Sequence, residues 1–334
     1  MMAIPAKAAC RLSQAQVRSK PVVVLVGPTA VGKSRIAVEV AKAFETEVLT
    51  ADSRQVYRGM DIGTDKPSID ERQGIPHRLI DLANPDEPFN AGLYCHQAVE
   101  EIERLYRNFR LPLVVGGTGL YVRTLLNGLC DAPAADPVMR EALRQEMKEL
   151  GHDALHARLL AVDPEAAARL HPRDESKVIR ALEVHQLSGR RMSEFQAEHG
   201  FAKRPFTALL IGLNRDRDVL YRRIEARIDW QLAHGLIDET TQLLAQGYQR
   251  DGVAMKGLGY RQVAEHVAGE YDAAEMVRRF KRDTRHFSKR QMTWFRKEPR
   301  IQWLMIDESD SIQRTAERVI GQVDQFLATL GEQG

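Results

Sequence analysis

The chain has 334 residues, of which 43% are hydrophobic and 28% are charged, and its formal net charge at pH 7 is only +2. This length and composition predict a globular protein of one large or two modest domains, and they exclude a disordered chain. The small net charge means that any contact with nucleic acid must come from local clusters of basic residues. The longest apolar runs, 22–26 and 208–213, are too short to span a bilayer, so we expect no membrane contact.

The three cysteines, Cys10, Cys95 and Cys130, lie far apart and form no C-x-x-C pair. This spacing argues against a disulfide framework and against a cysteine zinc site, and it favours a reducing compartment. Residues 1–20 contain four basic residues and no acidic one, which leaves a transit peptide as an alternative. We expect a flexible N-terminal extension on a cytoplasmic protein.

The segment Gly27–Ser34 reads Gly-Pro-Thr-Ala-Val-Gly-Lys-Ser and matches the phosphate-loop motif G-x-x-x-x-G-K-[ST]. It follows the apolar run 21–26 and opens an amphipathic helical pattern, which is the context that this motif requires. Backbone N–H groups in such a loop surround an anion, and the helix N-terminus adds positive potential. Lys33 can reach the terminal phosphates and Ser34 can offer its hydroxyl to Mg²⁺. The motif predicts a phosphate-chain site but does not identify the molecule.

Two further predicted strands also end in unusual polar loops. The strand at 47–50 is followed by Asp52, and the strand at 113–115 is followed by Gly-Gly-Thr-Gly at 116–119. Strands that alternate with helices predict a parallel sheet, in which ligands bind beyond the carboxyl ends. We therefore expect the phosphate loop, Asp52 and Thr118 to meet in one cleft. Asp52 is a Walker-B-like magnesium ligand, a general base or an ordinary turn residue, and Thr118 contacts a leaving group or belongs to a plain turn.

The middle of the chain shows a different pattern. After a Pro- and Ala-rich stretch at 131–137, charged sequence of helical period continues to about residue 200 without a strand pattern, and strands return at 206–213 and 301–306. We expect an α/β protein with a P-loop-type parallel sheet, helices on both faces of the sheet and a helical insertion domain. The expected parts are a flexible extension at 1–20, a discontinuous core at 21–130 and 206–310 with a helical C-terminal part, the insertion at 131–205, and a C-terminal helix and tail at 311–334.

Two groups of basic residues stand out in the C-terminal half. Arg223 and Arg227 share one helix face, where they either clamp a diphosphate or pair with nearby acids. Segment 278–300 holds ten basic residues against two acidic ones, which favours a nucleic-acid backbone contact over a solvated surface. Segment 255–262 combines glycines with basic and aromatic residues and is suited to cradling a single-stranded loop. The histidines have no metal-ligand spacing.

These motifs, in this order, resemble the tRNA dimethylallyltransferases, which prenylate an adenosine of tRNA. Two positions depart from the pattern of that family: Asp65 stands where Ala is frequent, and Gln231 stands where an apolar residue such as Met is common. The matching segments are Gly27–Ser34, Ala51–Tyr57, Asp61–Pro67, Pro76–Asp81, Gly116–Tyr121, Arg180–Glu183, Arg223–Asp229, Gly257–Gln262 and Lys289–Trp294.

The resemblance implies transfer of a dimethylallyl group from dimethylallyl diphosphate to N6 of adenosine 37 beside the anticodon, with release of diphosphate. It implies Mg²⁺ as cofactor with Ser34 as a ligand, Asp52 as the general base, and Thr118 near the bridging oxygen. The implied donor-binding residues are Gly27, Pro28, Thr29, Ala30, Val31, Gly32, Lys33, Ser34, Arg223 and Arg227. The implied tRNA-binding residues are Asp52, Ser53, Arg54, Gln55, Arg140, Ser176, Lys177, Val178, Ile179, Arg180, Met255, Lys256, Gly257, Leu258, Gly259, Tyr260, Arg261 and Gln262.

The helical insertion and the basic segment would then grip the anticodon stem-loop of tRNA, and we expect the enzyme to act as a monomer. Three alternatives remain open. An adenylate isopentenyltransferase would share the core but prenylate a free nucleotide, which requires neither the insertion nor the basic segment. A small-metabolite or nucleoside kinase would use the phosphate loop for ATP. A non-catalytic RNA-binding protein would leave cellular tRNA unchanged when Asp52 is replaced.

Overall fold

The protein is described by a computed structural model that covers residues 11–200 and 204–331. Over these residues the chain forms a six-stranded parallel sheet with the strand order β3-β2-β4-β1-β5-β6. The strands are β1 (Pro21–Val26), β2 (Val48–Ala51), β3 (His77–Arg78), β4 (Leu113–Gly116), β5 (Thr207–Asn214) and β6 (Ile301–Met305).

Helices surround this sheet, and the predicted α/β fold with a parallel P-loop-type sheet is confirmed. The helices are α1 (Gln14–Arg18), α2 (Lys33–Ala43), α3 (Ile69–Arg72), α4 (Ala91–Arg107), α5 (Gly119–Asn127), α6 (Pro137–Leu150), α7 (His152–Val162), α8 (Pro164–Arg169), α9 (Glu175–Ser188), α10 (Met192–His199), α11 (Arg217–Ala233), α12 (Leu236–Ala245), α13 (Tyr260–Val267), α14 (Ala273–Phe295) and α15 (Ile312–Gly331). None of the helices within the described ranges is long and apolar enough to cross a bilayer.

The apolar strands β1, β4 and β5 form the centre of the sheet. Every residue of β1 is buried, as expected for a strand covered on both faces. The five strands expected from apolar runs lie within one residue of their predicted bounds. β3 was not predicted, because the two-residue strand His77–Arg78 lies in a polar segment without an apolar run.

The register of the central strands aligns three loops. Gly116 at the end of β4 pairs with Val26 at the end of β1 and with Ala51 at the end of β2. The phosphate loop, the loop that begins at Asp52 and the Gly-Gly-Thr-Gly loop therefore leave the sheet at one level on one edge.

Residues 11–20 differ from the predicted flexible extension. They contain α1, which begins with a capping box between Ser13 and Gln16. The Leu12 side chain is buried and its N–H donates to the Phe109 carbonyl, while the Gln16 amide donates to the Leu327 carbonyl on α15. Docking therefore orders this segment, which has too few apolar residues to predict a helix. Residues 1–10, which include Cys10, lie outside the described ranges.

The chain divides into two compact units, one of residues 11–126 and 205–331 and one of residues 127–204, within the described ranges. The second unit corresponds to the helical insertion that was expected at 131–205. Helices α6 to α10 form it around a core of its own, and the buried side chains of that core include Leu143, Leu155, Leu159, Val178 and Leu182.

A buried carboxylate organises the second unit. Glu183 is fully buried on α9 and accepts hydrogen bonds from the guanidinium groups of Arg140 and Arg180 and from the N–H of Asp136. Burial alone would raise the pKa of Glu183, but the two arginines and the Asp136 N–H outweigh it and hold the pKa below its usual range. Glu183 is therefore charged at neutral pH and connects α6 to α9.

We expect Glu183→Ala to destabilise the second unit by about 3 kcal/mol, because it leaves two guanidinium groups and a backbone N–H without their partner. Native-state hydrogen exchange of α6 and α9 measures this loss within the unit. Glu141→Ala is the control, since Glu141 is an exposed residue of α6 that pairs with Arg144, three residues away. Equal protection in the two variants would show that the buried pair is not a major source of stability.

Candidate active site

The phosphate loop is held by close backbone packing at the end of β1. Gly27 has a φ of +152°, and a Cβ atom at this position would lie 2.5 Å from the carbonyl oxygen of Leu213 on β5. Only glycine fits there without a shift of the neighbouring strand. The Lys33 ammonium closes the loop from inside, donating to the carbonyls of Gly27 (3.0 Å) and Pro28 (2.9 Å).

The environment of Lys33 changes its proton affinity. Burial of the amine lowers the pKa of Lys33 to about 8; the charges of Asp52 and Asp65 oppose this shift and that of Arg227 adds to it. Asp52, Asp65 and Arg227 therefore lie within electrostatic range of the Lys33 amine. An anion bound in the loop would favour the charged amine.

The two arginines predicted to clamp a diphosphate occupy different positions. The Arg223 Nε donates to the Ala30 carbonyl of the phosphate loop (2.9 Å), whereas Arg227, one turn later on α11, pairs with the Asp65 carboxylate (2.9 Å). Arg215 also holds the loop, donating from Nε to the Val31 carbonyl (3.0 Å). This role of Arg215 was not predicted, because a lone arginine after a strand carries no motif.

The Asp52 and Thr118 loops are hydrogen-bonded to each other. The Thr118 N–H donates to the Ala51 carbonyl, and the Thr118 hydroxyl accepts the Ser53 N–H at 2.9 Å. The Asp52 Oδ1 accepts the N–H groups of Arg54 (2.8 Å) and Gln55 (3.4 Å), and Oδ2 has no hydrogen-bond partner in the described part of the chain. One carboxylate oxygen thus fixes the loop and the other remains available to a ligand.

Gln291 on α14 joins the phosphate loop to the Gly-Gly-Thr-Gly loop. Its Oε1 accepts the Thr29 N–H (2.9 Å) and its Nε2 donates to the Gly117 carbonyl (3.0 Å). A Cβ atom on Gly117 would lie 2.4 Å from that Nε2, so the glycine is required for the approach. Gln291 lies in the matching segment Lys289–Trp294, but one glutamine in a basic helix gave no signal of this role.

The model of the family described as "IPP transferase" matches residues 55–298, and the model described as "Isopentenyl transferase" matches residues 20–87. The curated protein "tRNA dimethylallyltransferase 1" of Trichlorobacter lovleyi is 47% identical over 290 residues, which cover 87% of this chain and 95% of that protein.

The chain belongs to the IPP transferase family. Two solved structures agree with this membership. A tRNA isopentenylpyrophosphate transferase from Bacillus halodurans is 36% identical with a TM-score of 0.71, covering 94% of this chain and 98% of that one. A eukaryotic dimethylallyltransferase described as acting on tRNA is 27% identical with a TM-score of 0.81, covering 93% of this chain and 80% of that one.

Two of the segments predicted to bind tRNA meet in the first unit of this IPP transferase. The Arg54 guanidinium donates to the Val253 carbonyl (2.7 Å), just before the segment 255–262. Within that segment Lys256 is exposed, whereas Met255, Gly257, Gly259, Tyr260 and Gln262 are buried. Only a few residues of the segment 255–262 are therefore exposed to a ligand.

The remaining predicted tRNA residues lie in the second unit, on helices α6 and α9. Ser176 and Lys177 are exposed at the start of α9, while Val178 and Ile179 belong to the core of that unit. Arg140 and Arg180 are bound to Glu183, as described above. Any contact of these two arginines with RNA must use the guanidinium edges that Glu183 does not occupy.

The basic residues of the segment 278–300, which covers most of α14 and the residues just after it, differ in whether they form ion pairs. Arg278 and Arg279 pair with Glu275, Lys281 with Asp229, and Arg285 with Glu225. The second half contains four exposed residues without an ion pair in the described ranges, here called the basic stripe: Lys289, Arg290, Arg296 and Lys297.

The low pKa of Lys33 predicts a pH-dependent affinity of this loop for inorganic diphosphate. Below pH 8 the free protein already carries the charged amine, whereas above it binding must take up a proton, so affinity falls by up to about tenfold per pH unit. Isothermal titration between pH 7 and 9 measures this. Lys33→Arg keeps its charge throughout, and parallel pH profiles for this variant and the parent protein would refute the assignment.

Proposed function

We propose that the protein transfers the dimethylallyl group of dimethylallyl diphosphate to N6 of an adenosine beside the anticodon of tRNA. The observation that carries this proposal is the meeting of three loops at one sheet edge: the Lys33 cradle for phosphates, the free Oδ2 of Asp52 and the Thr118 hydroxyl. The printed names of the relatives, tRNA dimethylallyltransferase among them, support the same substrates.

In the proposed reaction, N6 of the adenine forms a bond to the first carbon of the allyl group while the bond from that carbon to the diphosphate oxygen breaks. The N6 lone pair is delocalised into the purine ring, so removal of its proton makes attack easier, and Asp52 Oδ2 accepts that proton. Lys33 and Arg223 stabilise the charge that develops on the leaving diphosphate, and Thr118 contacts the bridging oxygen. The diphosphate leaves with the bonding electron pair.

The residues at the phosphate loop would suit a Mg²⁺ ion that is bound by few protein ligands. Ser34 is exposed in the first turn of α2, next to Lys33, and offers one hydroxyl oxygen. Within the described ranges no group of three or more His, Cys, Asp or Glu side chains is placed to hold a metal ion. Mg²⁺ commonly binds through substrate phosphates and water with one or two protein oxygens, and it would compensate charge on the diphosphate.

The acceptor in this proposal is tRNA rather than a free nucleotide. Lys289 and Arg290 of the basic stripe lie on the helix that carries Gln291, and Arg296 and Lys297 directly follow its end. The Trp294 ring of that helix packs on Gly119 in the Gly-Gly-Thr-Gly loop. A polyanion bound along the stripe would therefore run beside the cleft. We further propose that the protein acts as a monomer in the cytoplasm, where the anticodon stem-loop is accessible.

We expect purified protein, incubated with dimethylallyl diphosphate, Mg²⁺ and unmodified tRNA, to yield N6-dimethylallyl adenosine. In Asp52→Asn the rate should fall by about 10²- to 10⁴-fold with unchanged tRNA affinity, because the amide cannot accept the proton but keeps the Oδ1 contacts of the loop. Mass analysis of digested tRNA and a filter-binding assay measure the two quantities.

The same assay with other acceptors and donors distinguishes the proposed function from the alternative functions. Prenylation of adenosine monophosphate but not of tRNA would favour the adenylate enzyme, and hydrolysis of ATP or phosphate transfer from it would favour a kinase. Loss of tRNA binding in parallel with activity in Asp52→Asn would assign Asp52 to docking instead of catalysis.

The basic stripe gives a separate prediction about RNA affinity. We expect glutamine at all four stripe positions to weaken tRNA binding more than tenfold and to lower the salt slope by about 3, because each lysine or arginine neutralises one phosphate. Binding is measured by filter retention over a range of salt concentrations. In a charge-matched control, glutamine replaces four exposed arginines that already pair with acids: Arg217, Arg222, Arg314 and Arg318. An equal loss in this control would show that only total charge matters.

A further inference from the structure

Arg227, one of the two arginines predicted to bind diphosphate, forms an ion pair with a carboxylate of the protein itself, that of Asp65. The Asp65 Oδ2 lies 2.9 Å from a terminal nitrogen of Arg227. The Arg227 side chain is 20% exposed, against 46% for that of Asp65, so the arginine is the more buried partner. The Nε of Arg227 is buried and has no hydrogen-bond partner in the part of the chain that the structure describes.

The loop that carries Asp65 is held firmly in place. Glu239 accepts the N–H groups of Asp61, Ile62 and Gly63 at 2.9 to 3.3 Å. On the other side of Asp65, the ammonium of Lys66 is almost fully buried and bonds to two carboxylates and a backbone carbonyl. The Asp65 carboxylate is therefore presented by a fixed backbone and is not a flexible surface charge.

The position of Asp65 within the loop supports this view. Its backbone has a φ of +58°, a left-handed conformation that Asp and Asn adopt more readily than most residues, and its carbonyl accepts the Gln55 amide at 3.0 Å. Gln55 also binds the carboxylate of Asp52 through its N–H. The same short network thus connects the Asp52 loop to the carboxylate that holds Arg227.

The charges near Asp65 are those expected around a bound phosphate. Arg223, four residues before Arg227 on α11, lies against the phosphate loop. The charge of Asp65 also acts on Lys33, whose pKa it raises. The Asp65 carboxylate, which pairs with Arg227 and acts electrostatically on Lys33, resembles one phosphate oxygen pair in charge and in hydrogen-bonding capacity.

We propose that Asp65 is an internal competitor of the donor's diphosphate for Arg227 and thereby sets the affinity of the site for diphosphate. This inference rests on the proposed function, because it takes the diphosphate as the ligand of the loop. Binding of the donor breaks the Asp65–Arg227 pair, and re-formation of the pair assists release of the product diphosphate. The site consequently binds its leaving group less tightly than its cations alone would allow.

The test is a thermodynamic cycle with inorganic diphosphate as the probe, measured by isothermal titration at fixed pH, salt and Mg²⁺. We expect Asp65→Asn to lower the dissociation constant about three- to tenfold, the range of a partly buried ion pair. Asn tolerates the left-handed backbone and keeps the carbonyl contact with Gln55, so the loop stays folded. In an Arg227→Met background the same Asp65→Asn change should have almost no effect.

Asp61→Asn is the matched control, because Asp61 lies in the same loop and carries the same charge but pairs with Lys66. A gain of affinity in Asp61→Asn equal to that in Asp65→Asn would overturn the proposal, as would unchanged or weaker binding in Asp65→Asn. The comparison of these two variants decides the matter even if Arg227→Met does not fold.

Lys33→Met distinguishes this inference from the proposed function. If Lys33→Met leaves diphosphate binding intact, the phosphate loop is not the diphosphate site and the proposed function fails with it. If Lys33→Met abolishes binding while Asp65→Asn leaves it unchanged, the loop holds the diphosphate and only the competition by Asp65 is refuted.

Discussion

Parallel pairing of β1, β4 and β2 is the constraint on which the site depends. Because Val26, Gly116 and Ala51 stand level in the sheet, the three loops that follow them begin from one edge. Each loop contributes a different chemical capacity: a cage of backbone groups with an ammonium, a carboxylate, and a hydroxyl. Apart from Thr50, these three strands carry only apolar residues and glycine, and the functional side chains all come from the loops that follow them.

Long-range polar contacts hold these loops in shape, and several of them come from the C-terminal half. Arg215 and Arg223 bind carbonyls of the phosphate loop, Gln291 joins it to the Gly-Gly-Thr-Gly loop, and Glu239 fixes the loop that carries Asp65. Buried backbone groups need such partners, since an unpaired one costs about as much as a lost hydrogen bond. The C-terminal half therefore completes a site whose reactive groups, on Lys33, Asp52 and Thr118, lie within the first 118 residues.

Local patterns predicted the five apolar strands and the alignment of the loops that carry Lys33, Asp52 and Thr118, because apolar runs and parallel topology determine where strand ends lie. They did not predict β3 or α1, whose order depends on pairing and docking and not on their own residues. The separate positions of Arg223 and Arg227 also escaped prediction. Helical spacing shows that two arginines share a face, but the acid opposite one of them, Asp65, comes from a segment 162 residues away.

Because Gln291 joins two loops of the site from α14, a fragment of this protein without α14 would lack that connection. A polypeptide that stops before α14 keeps the whole phosphate motif, Asp52 and Thr118, yet it leaves the Thr29 N–H and the Gly117 carbonyl without the amide that joins them. The two loops would then be free to separate. During synthesis on the ribosome, the cleft accordingly becomes organised only after most of the chain has emerged, long after its reactive residues have been made.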